Sequence, residues 1–209
     1  MAGLTYLIGE DDALAGSSEP MAVTEPHVIF QRSLTSPVPE NMEAITLGMG
    51  CFWGAERLFW QAEGVWLTMV GYAGGFTVNP SYHQVCTGET GHAEVVRIIF
   101  DPEVMSLQQL LTLFWENHDP TQGMRQGNDI GTQYRSVIYT EKESQLSAVK
   151  ATMELFQQGL AEHGLGKVTT EIKPLQGFYF AETYHQQYLA RNPNGYCGLK
   201  GTGITCSLS

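Results

Sequence analysis

The segment GMGCFWGAERLFW, residues 48–60, places the tightest constraint on what this chain can become. AITLGMG (44–50) reads as a short buried strand ending in glycine, and AERLFWQA (55–62) as a helix with Leu58, Phe59 and Ala62 on one face. Cys51 falls at the turn between them, framed by Gly48, Gly50 and Gly54 and followed at once by Phe52 and Trp53. A cysteine that only fills a core needs no such small neighbours, so this one reads as presented. At the first turn of a helix, the dipole and the unpaired backbone N–H groups favour the thiolate. Cys51 is therefore the candidate nucleophile.

The rest of the chain limits the architecture around that turn. VWLTMVGYAGG is a strand running into the irregular loop GGFTVNPSYHQVCTGETGH, and HAEVVRIIFD (92–101) is a strong strand. SLQQLLTLFWENHD follows with Ser106 as N-cap and Leu107, Leu110, Leu111 and Phe114 at helical spacing. A second polar loop leads to the strand YRSVIYT (134–140), then a helix in EKESQLSAVKATMELFQQGL, a strand in VTTEIKPL (168–175) and a short helix in AETYHQQYLA. Two adjacent strands in the middle of a β-α-β-β-α-β-α-β order predict an α+β fold, a two-layer α/β sandwich with a ferredoxin-like core. Residues 1–42, rich in Pro, Ser, Thr and Glu, read as an extended arm. Residues 43–209 read as a single catalytic domain that includes a glycine-rich C-terminal coil at 190–209.

Charge and cysteine usage exclude several classes. With 11 basic against 22 acidic side chains, the net charge of −11 argues against a nucleic-acid partner, since phosphate contacts need a basic surplus. No apolar run is long enough to span a bilayer, and the first twenty residues lack a basic start and a continuous apolar stretch, so a cytoplasmic location is expected. In that compartment Cys51, Cys86, Cys197 and Cys206 are resting thiols, and without a CxxC pair no metal site is expected. No cofactor is called for, and nothing demands an oligomer, so a monomer is expected.

Chemistry gathers around the thiols. Gly198, Gly201 and Gly203 would let Cys197 and Cys206 meet each other and reach a third sulfur, so an oxidised Cys51 can be attacked by one tail thiol and the disulfide passed to the other. Phe52 and Trp53 offer an apolar wall for a small alkyl group, and Tyr72, Tyr82 and Tyr134 offer O–H donors for a polar oxygen. Glu94, first in its strand after GETGH, is expected to project from the sheet edge into the same cleft, with aromatic walls holding its carboxyl protonated. An acid beside a thiol suits a reaction in which sulfur is attacked while oxygen leaves as hydroxide, and a sulfoxide fits those parts.

GCFWGAERLFW, YAGG, GETGHAE, FWENHDPTQGMRQGNDIGTQYRS, AETYHQQYL and NPNGYCGLKGTGITC together closely resemble peptide methionine-S-sulfoxide reductases of type A, from about Ala44 to Cys206. The resemblance implies that Cys51 attacks the sulfoxide sulfur, Glu94 protonates its oxygen, and Tyr82 and Tyr134 hold that oxygen. It implies further that Phe52 and Trp53 house the methyl group and that Asp129 positions the substrate. Cys197 then resolves the sulfenic acid and Cys206 takes over the disulfide, which thioredoxin reduces, with oxidised proteins and peptides as substrates. Lys200 departs from the glycine common in such tails and is expected to slow the relay, while Thr183 replaces a frequent acid. Two rival readings differ in class. A cysteine hydrolase would pair Cys51 with His92, His118 or His185, and a non-enzymatic peptide-binding module would use the aromatic wall alone.

Overall fold

The computed structural model describes residues 4–205. Its strands and helices are β1 (Glu43–Met49), α1 (Phe52–Trp60), β2 (Val65–Ala73), α2 (Tyr82–Thr87), β3 (Ala93–Phe100) and α3 (Leu107–Glu116). They continue with β4 (Arg125–Gln126), β5 (Asp129–Ile130), β6 (Ser136–Thr140), α4 (Gln145–Glu162), β7 (Glu171–Pro174), β8 (Phe178–Phe180) and α5 (Tyr188–Arg191). One six-stranded sheet carries them in the order β7-β6-β1-β3-β2-β8, and β4 and β5 form a separate small hairpin. Neighbouring strands are antiparallel except β6 and β7, which run parallel with Val137 opposite Glu171.

Alternation along the strands divides the core. Ile45, Leu47 and Met49 of β1 and Val96, Ile98 and Phe100 of β3 face the layer of α1, α3 and α4, meeting Phe59, Leu110, Phe114, Trp115, Phe156 and Leu160. Period two then puts Glu94 on this same helix-covered face. β3 lies between β1 and β2, so Glu94 does not stand at a sheet edge as the sequence suggests but at the end of a central strand. The opposite face, with Leu67, Met69 and Ile99, is covered by Leu34 of the arm, and Val23, Phe30, Val38 and Met42 pack against that cluster. Both faces are buried, which is why these strands read as unbroken apolar runs.

Local signals explain most boundaries. Ser106 accepts from Gln109 N–H at 3.2 Å while the Gln109 side chain accepts from Ser106 N–H at 2.8 Å, a reciprocal cap on the expected helix. The same device at Ser81 and Gln84 starts α2, a helix inside a loop that composition alone marked as irregular. The expected helix over AETYHQQYLA shrinks to α5, because Gln187 adopts a left-handed conformation (φ 48°) and gives both its N–H and its side-chain amide to Glu56. The strand expected at 168–175 is four residues long.

Gly50 turns the chain from β1 into α1 at φ 93°, and a Cβ there would stand 2.6 Å from Cβ of Gln126. Gln126 in turn accepts from Asp119 N–H at 3.1 Å and donates to the Asp119 carbonyl at 2.9 Å. Gly50→Ala is expected to destabilise the fold by about 2–3 kcal/mol, adding a clash to the cost of a left-handed residue. Gly123→Ala, also left-handed (φ 65°) but facing open space, should cost about half as much; urea midpoints of the two variants compare them directly.

Candidate active site

Cys51 is the N-cap of α1, at the floor of a cavity of about 230 Å³ lined by Cys51, Phe52, Trp53, Tyr82, Glu94, Asp129, Tyr134 and Tyr196. The fold brings into one cavity the residues expected from sequence to serve as nucleophile, acid, oxygen donors, methyl wall and substrate-positioning acid. They arrive from separate elements: α1 gives Phe52 and Trp53, the start of α2 gives Tyr82, and β3 gives Glu94. Asp129 opens β5 of the small hairpin, and Tyr134 ends the 3-10 turn Thr132–Tyr134. Tyr72 stays out of the cavity wall. It is fully buried and donates its hydroxyl to Glu182 Oε2 at 2.9 Å, while Glu182 Oε1 accepts from Tyr82 N–H at 2.8 Å.

Glu94 is the most constrained group. Its side chain is buried, and Oε2 accepts from the Phe52 N–H at 3.0 Å, so the carboxyl is tied to the first helical amide after Cys51. Burial raises its pKa to about 8, against the pull of that amide and with a small push from Asp129. Burial also raises the Cys51 thiol well above its ordinary range, and the Glu94 charge adds to the rise. The hydrogen bond from Trp53 N–H acts in the opposite sense. The Trp53 amide at the helix start therefore favours the thiolate, but desolvation by burial outweighs it. Burial raises the pKa of both Tyr82 and Tyr134, with Glu94 as the next cause, so both hydroxyls keep their protons and remain donors.

Trp53 is fixed from behind. Trp53 stacks on Tyr188 at 4.0 Å between ring centroids, 19° from parallel, and its indole N–H donates to His185 Nδ1 at 3.1 Å. Burial lowers the His185 pKa to about 4, so the ring is neutral and can accept there. None of the three histidines proposed for a hydrolytic pair lines the cavity that holds Cys51: His92 bonds Gly75 and Thr77, His118 bonds Phe114 and Ser136, and His185 takes the Trp53 indole. Among the described residues, no group of three or more His, Cys, Asp or Glu is arranged to hold a metal ion.

Cys197 approaches α1 from the tail. A Cβ on Gly54 would stand 2.9 Å from Cys197 Sγ, so this glycine opens the first turn of the nucleophile's helix to the second sulfur. Cys51, Cys86 and Cys197 are free thiols, and Cys206 lies outside the described residues. Sequence reasoning missed two residues here. Gly54 was visible as a small neighbour but not as a seat for Cys197, and Tyr196, next to Cys197, had no signal of its own. The Tyr196 hydroxyl donates to Asp129 Oδ2 at 3.0 Å and joins the cavity wall.

A thiol and a carboxyl, both desolvated, share one small aromatic cavity with a second thiol against the same helix turn. Fold and site define a thiol-dependent reductase. The family model for peptide methionine sulfoxide reductase matches residues 43–205. A relative from Agrobacterium fabrum, "Peptide methionine sulfoxide reductase MsrA", is 60% identical over 205 residues, covering 98% of this chain and 95% of that one. The solved structure of methionine sulfoxide reductase A of Corynebacterium diphtheriae superposes with a TM-score of 0.87 at 44% identity, covering 98% of this chain and 99% of that one. Mxr1 from Saccharomyces cerevisiae in complex with Trx2 matches with a TM-score of 0.52 at 25% identity, covering 74% of this chain and 91% of that one. The chain belongs to the peptide methionine sulfoxide reductase family.

The raised pKa of Glu94 makes a signed prediction. The folded chain holds that proton up to about pH 8, whereas an ordinary glutamate releases it near 4.5. Its contribution to stability is therefore full below pH 4.5 and is lost as pH rises through 8. Glu94→Gln should melt progressively higher than the parent between pH 5 and pH 9, as differential scanning calorimetry would show; a constant offset across that range would place the proton elsewhere.

Proposed function

We propose a course for methionine sulfoxide reduction in which Cys51 attacks the sulfoxide sulfur while Glu94 protonates the departing oxygen. What carries this reading is the bond from Phe52 N–H to Glu94, which fixes an acid of pKa about 8 beside the thiol on the floor of the cavity. Tyr82 and Tyr134, both protonated, bind the sulfoxide oxygen, Phe52 and Trp53 pack on the methyl group, and Asp129 positions the rest of the substrate. Attack forms a bond from Cys51 to the methionine sulfur as the protonated oxygen leaves as hydroxide. That hydroxide bonds to Cys51 Sγ as the new sulfur–sulfur bond breaks, its electron pair going to methionine. The thiol proton restores Glu94, so methionine leaves reduced and Cys51 becomes a sulfenic acid. Placing the oxygen and the methyl on fixed walls discriminates between epimers, and we assign the S form.

Cys197, seated against Gly54, then attacks the Cys51 sulfenic acid, releasing water and forming a disulfide. Cys206 exchanges with it to give a Cys197–Cys206 disulfide, and thioredoxin reduces that bond in a further exchange. The complex of yeast Mxr1 with Trx2 supports this choice of reductant. The described free thiols suit a reducing compartment, which we take to be the cytoplasm, and no helix among the described residues is long and apolar enough to cross a membrane. The antiparallel order β6-β1-β3-β2 supports a ferredoxin-like core within one catalytic domain, residues 43–209, that acts as a monomer.

Single-turnover reduction of separated epimers of a methionine sulfoxide peptide tests the scheme. Glu94→Gln should slow the chemical step by about a hundredfold to ten-thousandfold, and kcat/KM of the parent should fall as pH rises through about 8, where the acid loses its proton. An unchanged rate in Glu94→Gln removes it from the acid role. Cys197→Ser should complete one turnover and then stop with thioredoxin. Gly54→Ala should keep that first turnover while slowing disulfide formation, read by quenched-flow trapping of free thiols.

A further inference from the structure

The first described stretch of the chain, residues 4–17, lies across both segments that carry the cavity's tyrosine donors. α2, which begins at Tyr82, has six residues, too few to hold a helix unaided in water. Beyond its own cap, its anchors are external. Glu182 takes the Tyr82 N–H on one side, and on the other the Gln84 side-chain amide donates to the Ala15 carbonyl at 3.0 Å. The loop around α2 is bonded to the same stretch. Leu14 N–H donates to the Glu89 carbonyl at 2.9 Å, the Thr77 hydroxyl donates to the Leu14 carbonyl at 2.9 Å, and Ser17 N–H donates to the Val78 carbonyl at 3.0 Å.

The strap also reaches the second donor. The 3-10 turn that ends in Tyr134 begins at Thr132, whose N–H donates to the Leu4 carbonyl at 2.8 Å. Leu4 packs over Gly88, the left-handed residue closing α2, where a Cβ would come within 2.9 Å of the leucine. Contact is closest at Gly16, where a Cβ would fall 1.8 Å from the Val78 carbonyl oxygen.

We infer that residues 4–17 are positioning residues for sulfoxide reduction, holding the Tyr82 and Tyr134 segments at a fixed separation across the cavity. The inference rests on the reading of those two hydroxyls as the oxygen's donors. Each donor sits on a short segment, α2 seated on the core through Val85, and one continuous strap bonded to both restricts their motion relative to each other. A shift of about 1 Å in such a group can cost on the order of a hundredfold in rate.

The test uses the full chain and single-turnover reduction of a methionine-S-sulfoxide peptide. Gly16→Val must lift the strap off Val78. It should lower kcat about tenfold with little change in KM, while the circular dichroism spectrum and the rate of Cys51 alkylation stay at parent values. In a Tyr82→Phe, Tyr134→Phe background, the same substitution should cost less than about twofold, because the donors it positions are gone. Thr77→Val removes one bond to Leu14 without crowding and should give a smaller loss with the same dependence on background; it decides the matter if Gly16→Val does not fold. An equal loss in both backgrounds, or no loss in either, overturns the inference and leaves the tyrosine reading standing. If the tyrosine double variant alone keeps the parent rate, the tyrosine reading falls, and the strap has nothing to position.

Discussion

The hydrogen bond from Phe52 N–H to Glu94 joins the end of a central strand to the first turn of α1, and the site is organised around it. β3 lies between β1 and β2, and Glu94 itself pairs with Tyr72 of β2 two residues beyond the last β1 pair at Val96. α1 enters from β1 through a glycine whose conformation other residues resist. The bond closes a loop between two rigid pieces and sets the carboxyl beside Cys51 at a separation that neither loop flexibility nor side-chain rotation can easily relax. That rigidity suits the acid role proposed for Glu94, because proton transfer depends on donor and acceptor lying within hydrogen-bond reach.

The same enclosure explains the electrostatics. An exposed helix start would favour the Cys51 anion, but a cavity of about 230 Å³ supplies little solvent to stabilise it. Desolvation raises both acidic groups in such a space, and the Glu94 charge raises the Cys51 thiol further. In the proposed course, a substrate oxygen bonded by two protonated tyrosines brings no net charge. Glu94 therefore stays neutral and adds no repulsion to the thiolate until its proton passes to that oxygen.

Much of this was legible in the sequence, for identifiable reasons. The strand-turn-helix around Cys51 carries its period change and its glycines within thirteen residues, and the reciprocal cap at Ser106 is a local pattern. The cavity residues were found through motif resemblance more than through period or composition, since Tyr82, Asp129 and Tyr134 stand on short elements that neither would reveal. The placement of Glu94 was misread because its strand, covered on both faces, shows no alternation from which to judge centre or edge. The arm's contacts were hidden for another reason: at Leu4, Leu14, Ala15 and Ser17 it bonds through backbone groups, which every sequence possesses.

A second buried carboxyl shows what distinguishes Glu94. Glu56, one turn further along α1, is as deeply buried, yet it accepts from the Thr68 hydroxyl at 3.1 Å and from the Gln187 N–H and side-chain amide, both at 2.8 Å. His27 of the arm backs this group. Its Nδ1 accepts from the amides of Ile29 and Phe30, so its Nε2 carries the proton directed at Thr68, 3.0 Å away. Burial raises Glu56 to about 7 against the bonds from Gln187 and Thr68 and the Arg191 charge, and raises Glu94 to about 8 against the Phe52 amide alone. The better-supplied carboxyl is bound to α1's neighbours on every side and has no cavity in which to act. Glu94, given a single amide, is the one of the pair that lines the cavity, which is why the acid role is proposed for it and not for Glu56.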